Sequence, residues 1–231
     1  MERQKITLSE KIKPNFRDRF AANLLGLEVL RFWDGKEPFR FSSGMESPIY
    51  CDNRMILSHI DLRSFVVRRF IDFLKNKLET IDAVAGVATG ALPLSAILAE
   101  TINRPYFYVR PSKKAHGLEN KVEGDMRILK DLKVLVVEDL ISTGESSLKA
   151  VRSLKESGAQ VDEMIAIFSY QFPEAQEAFE EEGVNAEVIL HYPYLLDYAV
   201  MKGYVEPGTQ HLLKAWYRDP WGWWEKYRGE A

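Results

Sequence analysis

The sequence predicts an open, mostly parallel α/β sheet flanked by helices, and three observations carry the prediction. Five short, near-continuous apolar runs rich in β-branched or aromatic residues, at 83–87, 106–109, 134–137, 164–168 and 188–190, suit strands covered on both faces. Helical patterns at 92–102, 146–156 and 175–182 lie between several of them, the alternation that builds a parallel sheet. With 231 residues, 46% apolar and 28% charged, the chain is long enough to form one core without disulfide or metal staples.

The other elements follow in chain order. Residues 17–30 place Phe20, Leu24, Leu27 and Leu30 close to one helical face. Extended pieces are expected at 39–41 and 49–52, joined through the turn signal Ser43-Gly44. Residues 61–79 form an amphipathic helix with Leu62, Phe65, Val66, Phe70, Phe73, Leu74 and Leu78 near helical spacing, and Asp61 or Ser58 as its cap. The segment 110–125 is polar, carries Gly117 and Gly124, and has no period; so long a loop inside a compact domain is usually mobile and functional. Helices at 198–202 and 209–217 lead to a tail holding Trp216, Trp221, Trp223 and Trp224, a cluster expected to pack on the domain or on a partner subunit.

Composition narrows the class. Thirty-one Lys+Arg against 34 Asp+Glu, a net charge of −3, argue against nucleic-acid binding, which needs a basic excess. The one cysteine, Cys51, leaves no internal disulfide and no cysteine-based zinc site, and reads as a packed thiol. No apolar run reaches the roughly 18 residues of a membrane span, and the polar first stretch has no signal core. The expected setting is cytoplasmic. His59, His191 and His211 are isolated and read as structural, and His116 lies in no metal-like spacing.

In open α/β sheets ligands bind beyond the carboxyl ends of the strands, so the residues after each apolar run carry the functional information. Ala88-Thr89-Gly90-Ala91 follows the first run, and Arg110-Pro111-Ser112-Lys113-Lys114-Ala115-His116-Gly117 the second. Glu138-Asp139-Leu140-Ile141-Ser142-Thr143-Gly144-Glu145-Ser146-Ser147 follows the third. Two adjacent acids at a strand end are costly unless they meet a hydroxyl-bearing or cationic ligand. The small and hydroxylated residues after them open a helix, where free N–H groups and the helix dipole make an anion cradle. Acids for sugar hydroxyls beside a phosphate cradle describe a pentose phosphate site; spacing alone fits equally well a strand exit with solvated acids and a capped helix.

VLVVEDLISTGES, residues 134–146, resembles the phosphoribosyl diphosphate signature of type I phosphoribosyltransferases at every position. SSGMESPIYCDNR (42–54), GVATGALPLSAILA (86–99) and YVRPSKKAHGLENKVEGD (108–125) are similar to the base-side segment, diphosphate loop and long catalytic loop of the orotate phosphoribosyltransferases. The resemblance implies the type I fold, with a base-side hood over residues 1–60, a core over 61–195 and a helical, Trp-rich tail over 196–231 packed on it. It implies transfer of phosphoribosyl from phosphoribosyl diphosphate to orotate, with Mg²⁺ arriving on the substrate, in a homodimer sharing the 110–125 loop across subunits, without nucleic acid or membrane. Lys114 and His116 would contact the leaving group, with Lys113 nearby and Arg110 at the base of the loop. Glu138 and Asp139 would hold the ribose hydroxyls and Ser142, Thr143, Gly144, Glu145 and Ser146 the 5′-phosphate, with Leu140 and Ile141 also on the substrate; Ser142 stands where the family commonly has a threonine that contacts orotate. Ala88 and Thr89 would meet the diphosphate, and Tyr50 the base; Lys114, His116 and Asp139 are the expected catalytic set.

The chain departs from the family pattern at four places. Thr89 and Ser42 stand where many members carry lysine, and Pro111 follows Arg110 where another lysine is frequent. The arginine for the base carboxylate has no match in Phe168-Ser169-Tyr170-Gln171. Two alternatives stay open on the sequence: a phosphoribosyltransferase for a purine or uracil, and a non-catalytic sensor of phosphoribosyl diphosphate.

Overall fold

The computed structural model describes residues 15–33, 37–41, 43–111 and 121–228. In chain order the elements are α1 (Phe16–Gly26), β1 (Leu30–Phe32), β2 (Phe39–Arg40), β3 (Glu46–Ser47), β4 (Ile49–Cys51), α2 (Ile60–Leu74), β5 (Ala83–Val87), α3 (Leu92–Thr101), β6 (Tyr106–Val109) and β7 (Val122–Glu123). There follow α4 (Met126–Leu129), β8 (Val134–Ile141), α5 (Glu145–Glu156), β9 (Glu163–Ser169), α6 (Pro173–Glu182), β10 (Asn185–His191), α7 (Tyr192–Met201), α8 (Pro207–Arg218) and α9 (Trp223–Tyr227). Six strands form the central sheet in the order β10-β9-β8-β5-β6-β7, with every pair parallel except β6 with β7. β1 pairs with β4, and β2 with β3, as two small antiparallel ribbons.

The period-2 alternation of strand side chains divides the core between the two faces of the sheet. Val84, Leu135, Val137, Ile165 and Ile167 face a cluster that also takes in residues of α1, α2, α3, α7, α8 and α9. Ala85, Val136, Met164 and Ala166 face a second cluster closed by α5 and α6, through Leu148, Val151, Leu154, Ala175 and Phe179. The parallel sheet with helices on both faces is the one expected. From β5 the chain steps to β6 on one side, then returns to lay β8, β9 and β10 on the other, so the order reverses between β5 and β8. Such a reversal opens a crevice at the carboxyl ends of the two strands.

Several boundaries differ from expectation, each for a local reason. The first helix stops at Gly26, and Glu28 takes φ 54°, after which Leu30 is buried in β1 instead of on the helix. The second ends at Leu74, and Leu78–Thr80 form a separate single turn; neither Asp61 nor Ser58 caps it, since the N-cap is His59 without a side-chain bond. α7 begins six residues before the expected 198, because Pro193 sits in its first turn, where a missing N–H costs nothing, and His191 Nδ1 accepts from the Tyr194 N–H at 3.4 Å. β8 runs to Ile141, four residues past the apolar run, because Glu138, Leu140 and Ile141 pair with Ala166, Phe168 and Ser169 of β9. Part of the aperiodic 110–125 segment is sheet: Val122 and Glu123 pair with Val109 and Tyr108.

In the tail, Trp216 and Trp223 are fully buried in the larger cluster, whereas Trp221 stays 57% exposed and so lies outside the expected packed group. Trp216 Nε1 donates to the Glu46 carbonyl at 3.0 Å, and Tyr217 Oη to the Gln171 carbonyl at 3.0 Å. α8 thereby braces both β3 and the exit of β9. Among the described residues no helix is long and apolar enough to cross a membrane.

Candidate active site

A cavity of about 760 Å³ opens at the β5/β8 crevice. Its wall carries Ala88, Thr89 and Gly90 after β5, Arg110 and Pro111 after β6, and Glu138, Asp139, Leu140, Ser142, Thr143, Gly144, Glu145 and Ser146 at the β8 exit. Tyr50, Cys51, Asp52, Asn53 and Arg54 of the base-side segment close it from one side, with Arg40, Phe41 and Tyr170. Sequence positions far apart thus meet as the strand-exit argument required. Ile141 is the exception: it is not on the cavity wall, its side chain lies in the core on the α5 side and its carbonyl accepts from the Tyr170 N–H at 2.9 Å. Lys113, Lys114 and His116 lie outside the described residues, as does Ser42.

The two acids have different surroundings. Alternation along β8 turns Glu138 toward α5, where it is 4% exposed. Its Oε2 accepts from Ser147 Oγ at 2.8 Å and its Oε1 from the Asp139 N–H at 3.0 Å. Burial, then the Asp139 charge, pushes the Glu138 carboxyl well above the usual carboxylate range. Glu138 thus braces strand to helix at the edge of the cavity it helps to line. Asp139 is half-buried on the cavity wall, its carboxylate lying directly over Gly90. A Cβ built on Gly90 would stand 1.9 Å from Asp139 Oδ2, so any side chain there would push the carboxylate from its place. The Asp139 carbonyl accepts from Asn53 Nδ2 at 2.6 Å, tying the turn after β4 to the exit of β8. Asn53 is buried and also accepts from Cys51 Sγ through Oδ1 at 3.3 Å. Burial, aided by Asp139 and Asp52, pushes the Cys51 thiol far up, which fits a packed thiol.

After Ile141 the chain turns through Ser142 and Thr143 into Gly144, the N-cap of α5, at φ 79°. That left-handed conformation favours glycine, and Gly144, Glu145 and Ser146 at the start of α5 line the cavity. Glu145 in the first turn is an acid beside an anion cradle, and Lys149 one turn on forms an ion pair with it. Lys149 lines the same cavity and escaped the sequence reading, as did Asn53, Ser147 and Gly90 as the partners of the two acids. The i,i+4 spacing of Glu145 and Lys149 was the only signal available for any of them.

Both stems of the 110–125 segment are pinned together. The Arg110 N–H donates to the Lys121 carbonyl at 2.9 Å, and its guanidinium meets Glu123 at 3.2 Å. The base-side wall is likewise ion-paired: Arg54 holds Asp52 at 2.6 Å and keeps its carboxyl below the usual range, and Arg40 meets Glu46 at 2.9 Å. Arg54 also donates to Tyr50 Oη at 3.4 Å, and the Arg31 guanidinium lies over the Tyr50 ring at 5.3 Å.

Among the described residues no three His, Cys, Asp or Glu converge to hold a metal ion. One exposed-side carboxylate, Asp139, next to an anion cradle is the donor set that suits Mg²⁺ carried in on phosphate oxygens, since that ion keeps much of its water and takes one or two carboxylates at most.

Comparison with known proteins agrees with this geometry. The family profile described as a phosphoribosyl transferase domain matches residues 57–184. The chain is 45% identical over 204 residues to the orotate phosphoribosyltransferase of Phocaeicola vulgatus, covering 88% of this chain and 95% of that one. It is similar in structure to the orotate phosphoribosyltransferase of Aeropyrum pernix, with TM-score 0.69, 29% identity, and coverage of 81% of this chain and 99% of that one. It is also similar to the Mycobacterium tuberculosis enzyme of that name in complex with 5-phospho-α-D-ribosyl 1-diphosphate, with TM-score 0.59, 26% identity, and coverage of 78% and 98%.

Proposed function

The chain belongs to the orotate phosphoribosyltransferase family, and on that premise we propose that its β5/β8 cavity transfers the 5-phosphoribosyl group of phosphoribosyl diphosphate to orotate. The products are orotidine 5′-monophosphate and diphosphate, a step of pyrimidine nucleotide synthesis. The observation that carries the division of labour is the Asp139 carboxylate lying over Gly90 beside the Ser142–Ser146 cradle.

A ring nitrogen of orotate attacks the anomeric carbon as the bond to diphosphate breaks. Positive charge builds on the sugar and negative charge on the leaving group. Asp139 takes the ribose hydroxyls, positioned from behind by Glu138, Ser147 and Asn53. The Ser142–Ser146 turn and the first N–H groups of α5 take the 5′-phosphate. The backbone of Ala88 and Thr89 receives the diphosphate, and Tyr50 flanks the base. Lys114 and His116, with Lys113, meet the leaving group from the loop whose stems Arg110 and Glu123 hold together, and that loop serves the neighbouring subunit's site in a homodimer. Mg²⁺ carried in on the diphosphate oxygens would lower the charge of the leaving group. A cytoplasmic setting belongs to the same reading.

Purified protein with Mg²⁺, phosphoribosyl diphosphate and each candidate base tests the reading. Nucleotide is expected from orotate; formation from hypoxanthine or uracil but not from orotate would overturn it. Lys114→Ala should lower kcat by about 10² or more, the scale of one positioned cationic or acid–base group, in a steady-state assay. Unchanged turnover would remove the loop from the chemistry.

A further inference from the structure

The exit of β9 lies beside that of β8, yet it is built of rings. Tyr170, the first residue after β9, bonds through its N–H to the Ile141 carbonyl and so sits next to Ser142. Its side chain is 0% exposed. Five aromatic rings surround it: Phe41 at 5.2 Å, Phe168 at 5.4 Å, Trp216 at 5.5 Å, Phe172 at 5.6 Å and Tyr192 at 5.8 Å between centroids.

Within this box, among the described residues, Tyr170 Oη has no hydrogen-bond partner, and neither does Ser142 Oγ on the same cavity wall. Other buried hydroxyls of the molecule are engaged: Tyr192 Oη donates to the Leu213 carbonyl at 3.3 Å, and Ser147 Oγ to Glu138. Buried polar atoms are almost always satisfied, and an unmatched pair on one cavity wall points to a ligand that completes them. A ring needed for packing alone would serve as well without its oxygen. Burial and the neighbouring Cys51, Tyr192 and Tyr50 push the Tyr170 phenol well up, so at neutral pH it is a donor. The cavity-wall arginines Arg40, Arg54 and Arg110 already hold carboxylates of their own chain.

We propose that Tyr170 is a specificity-determining residue of the base subsite, its Oη donating a hydrogen bond to an acceptor oxygen of bound orotate. The inference rests on the orotate reading above. Half-buried Phe41, which shares the cavity wall and packs on the Tyr170 ring, gives way as the base arrives.

Tyr170→Phe keeps every ring contact and removes one oxygen. The expected result is an orotate KM raised about 10-fold, the upper scale for one neutral hydrogen bond. The phosphoribosyl diphosphate KM should stay unchanged, and Tm should be unchanged or higher, because the free protein loses only an unmatched hydroxyl. An unchanged orotate KM, or equal rises in both KM values, would overturn the assignment, and a lowered Tm with unchanged KM would mark the oxygen as structural. Wild-type protein that uses another base but not orotate takes down the functional reading itself; active wild type with an indifferent Tyr170→Phe takes down this inference alone.

Discussion

The half of the cavity proposed for the sugar donor and the half proposed for the base are built by different means. The first is nearly continuous chain: Asp139 through Ser146 form one strand-to-helix turn, locked by Ser147 in the first turn of α5 and covered by the Gly90 turn of the adjacent strand. The base half is assembled from distant pieces: the β3–β4 segment, Phe41, the β9 exit, and α8, whose Trp216 and Tyr217 bond to the carbonyls of Glu46 and Gln171. Local backbone geometry holds the first, and long-range aromatic packing the second. Damage to the tail should therefore reach orotate before it reaches the sugar phosphate.

Trp216→Ala tests this hardest. It removes a fully buried indole that touches Phe41, Tyr170, Phe172 and Tyr192, and should cost about 3–5 kcal/mol in denaturant unfolding. In whatever fraction stays folded, orotate KM should rise more than phosphoribosyl diphosphate KM; the reverse order would break the comparison. Gly90→Ala is the counterpart on the donor side. Its Cβ would displace the Asp139 carboxylate, and a misplacement near 1 Å should lower kcat/KM for the sugar donor about 10²-fold while orotate binding changes little.

A smaller effect sharpens the role of Glu138. Its carboxyl titrates well above the ordinary 4.5, so the folded protein holds a proton that the unfolded chain releases. The stability this contributes is full below the ordinary value and is lost as pH rises through the raised one. Against Glu138→Gln, which cannot titrate, wild type should thus lose Tm progressively as pH increases from about 4.5. A difference between the two that is flat with pH would mean that Glu138 is charged in the fold.

The same contrast explains what could be read from the sequence. The parallel sheet and the 138–146 turn were legible because both are written in contiguous residues: apolar runs for buried strands, and acids, hydroxyls and Gly144 in one stretch. The length of β8 was not, because Glu138 and Leu140 join the ladder through backbone bonds to β9 that do not depend on apolar side chains. Asn53 was invisible because its bond to Asp139 spans 86 positions, and Tyr170 because three of the five rings around it, Phe41, Tyr192 and Trp216, come from distant parts of the chain. Trp216 and Trp223 could be expected to pack on grounds of size, but nothing local separated them from Trp221, which is exposed.

The central claim is that Asp139 and the turn after it grip the activated sugar. Calorimetric titration of phosphoribosyl diphosphate with Mg²⁺ into wild type and Asp139→Asn tests it directly. Saturable 1:1 binding to wild type, weakened about 10-fold or more in the variant by loss of a charge-assisted contact, is the predicted result. Equal binding by the two proteins, both verified as folded, would contradict it.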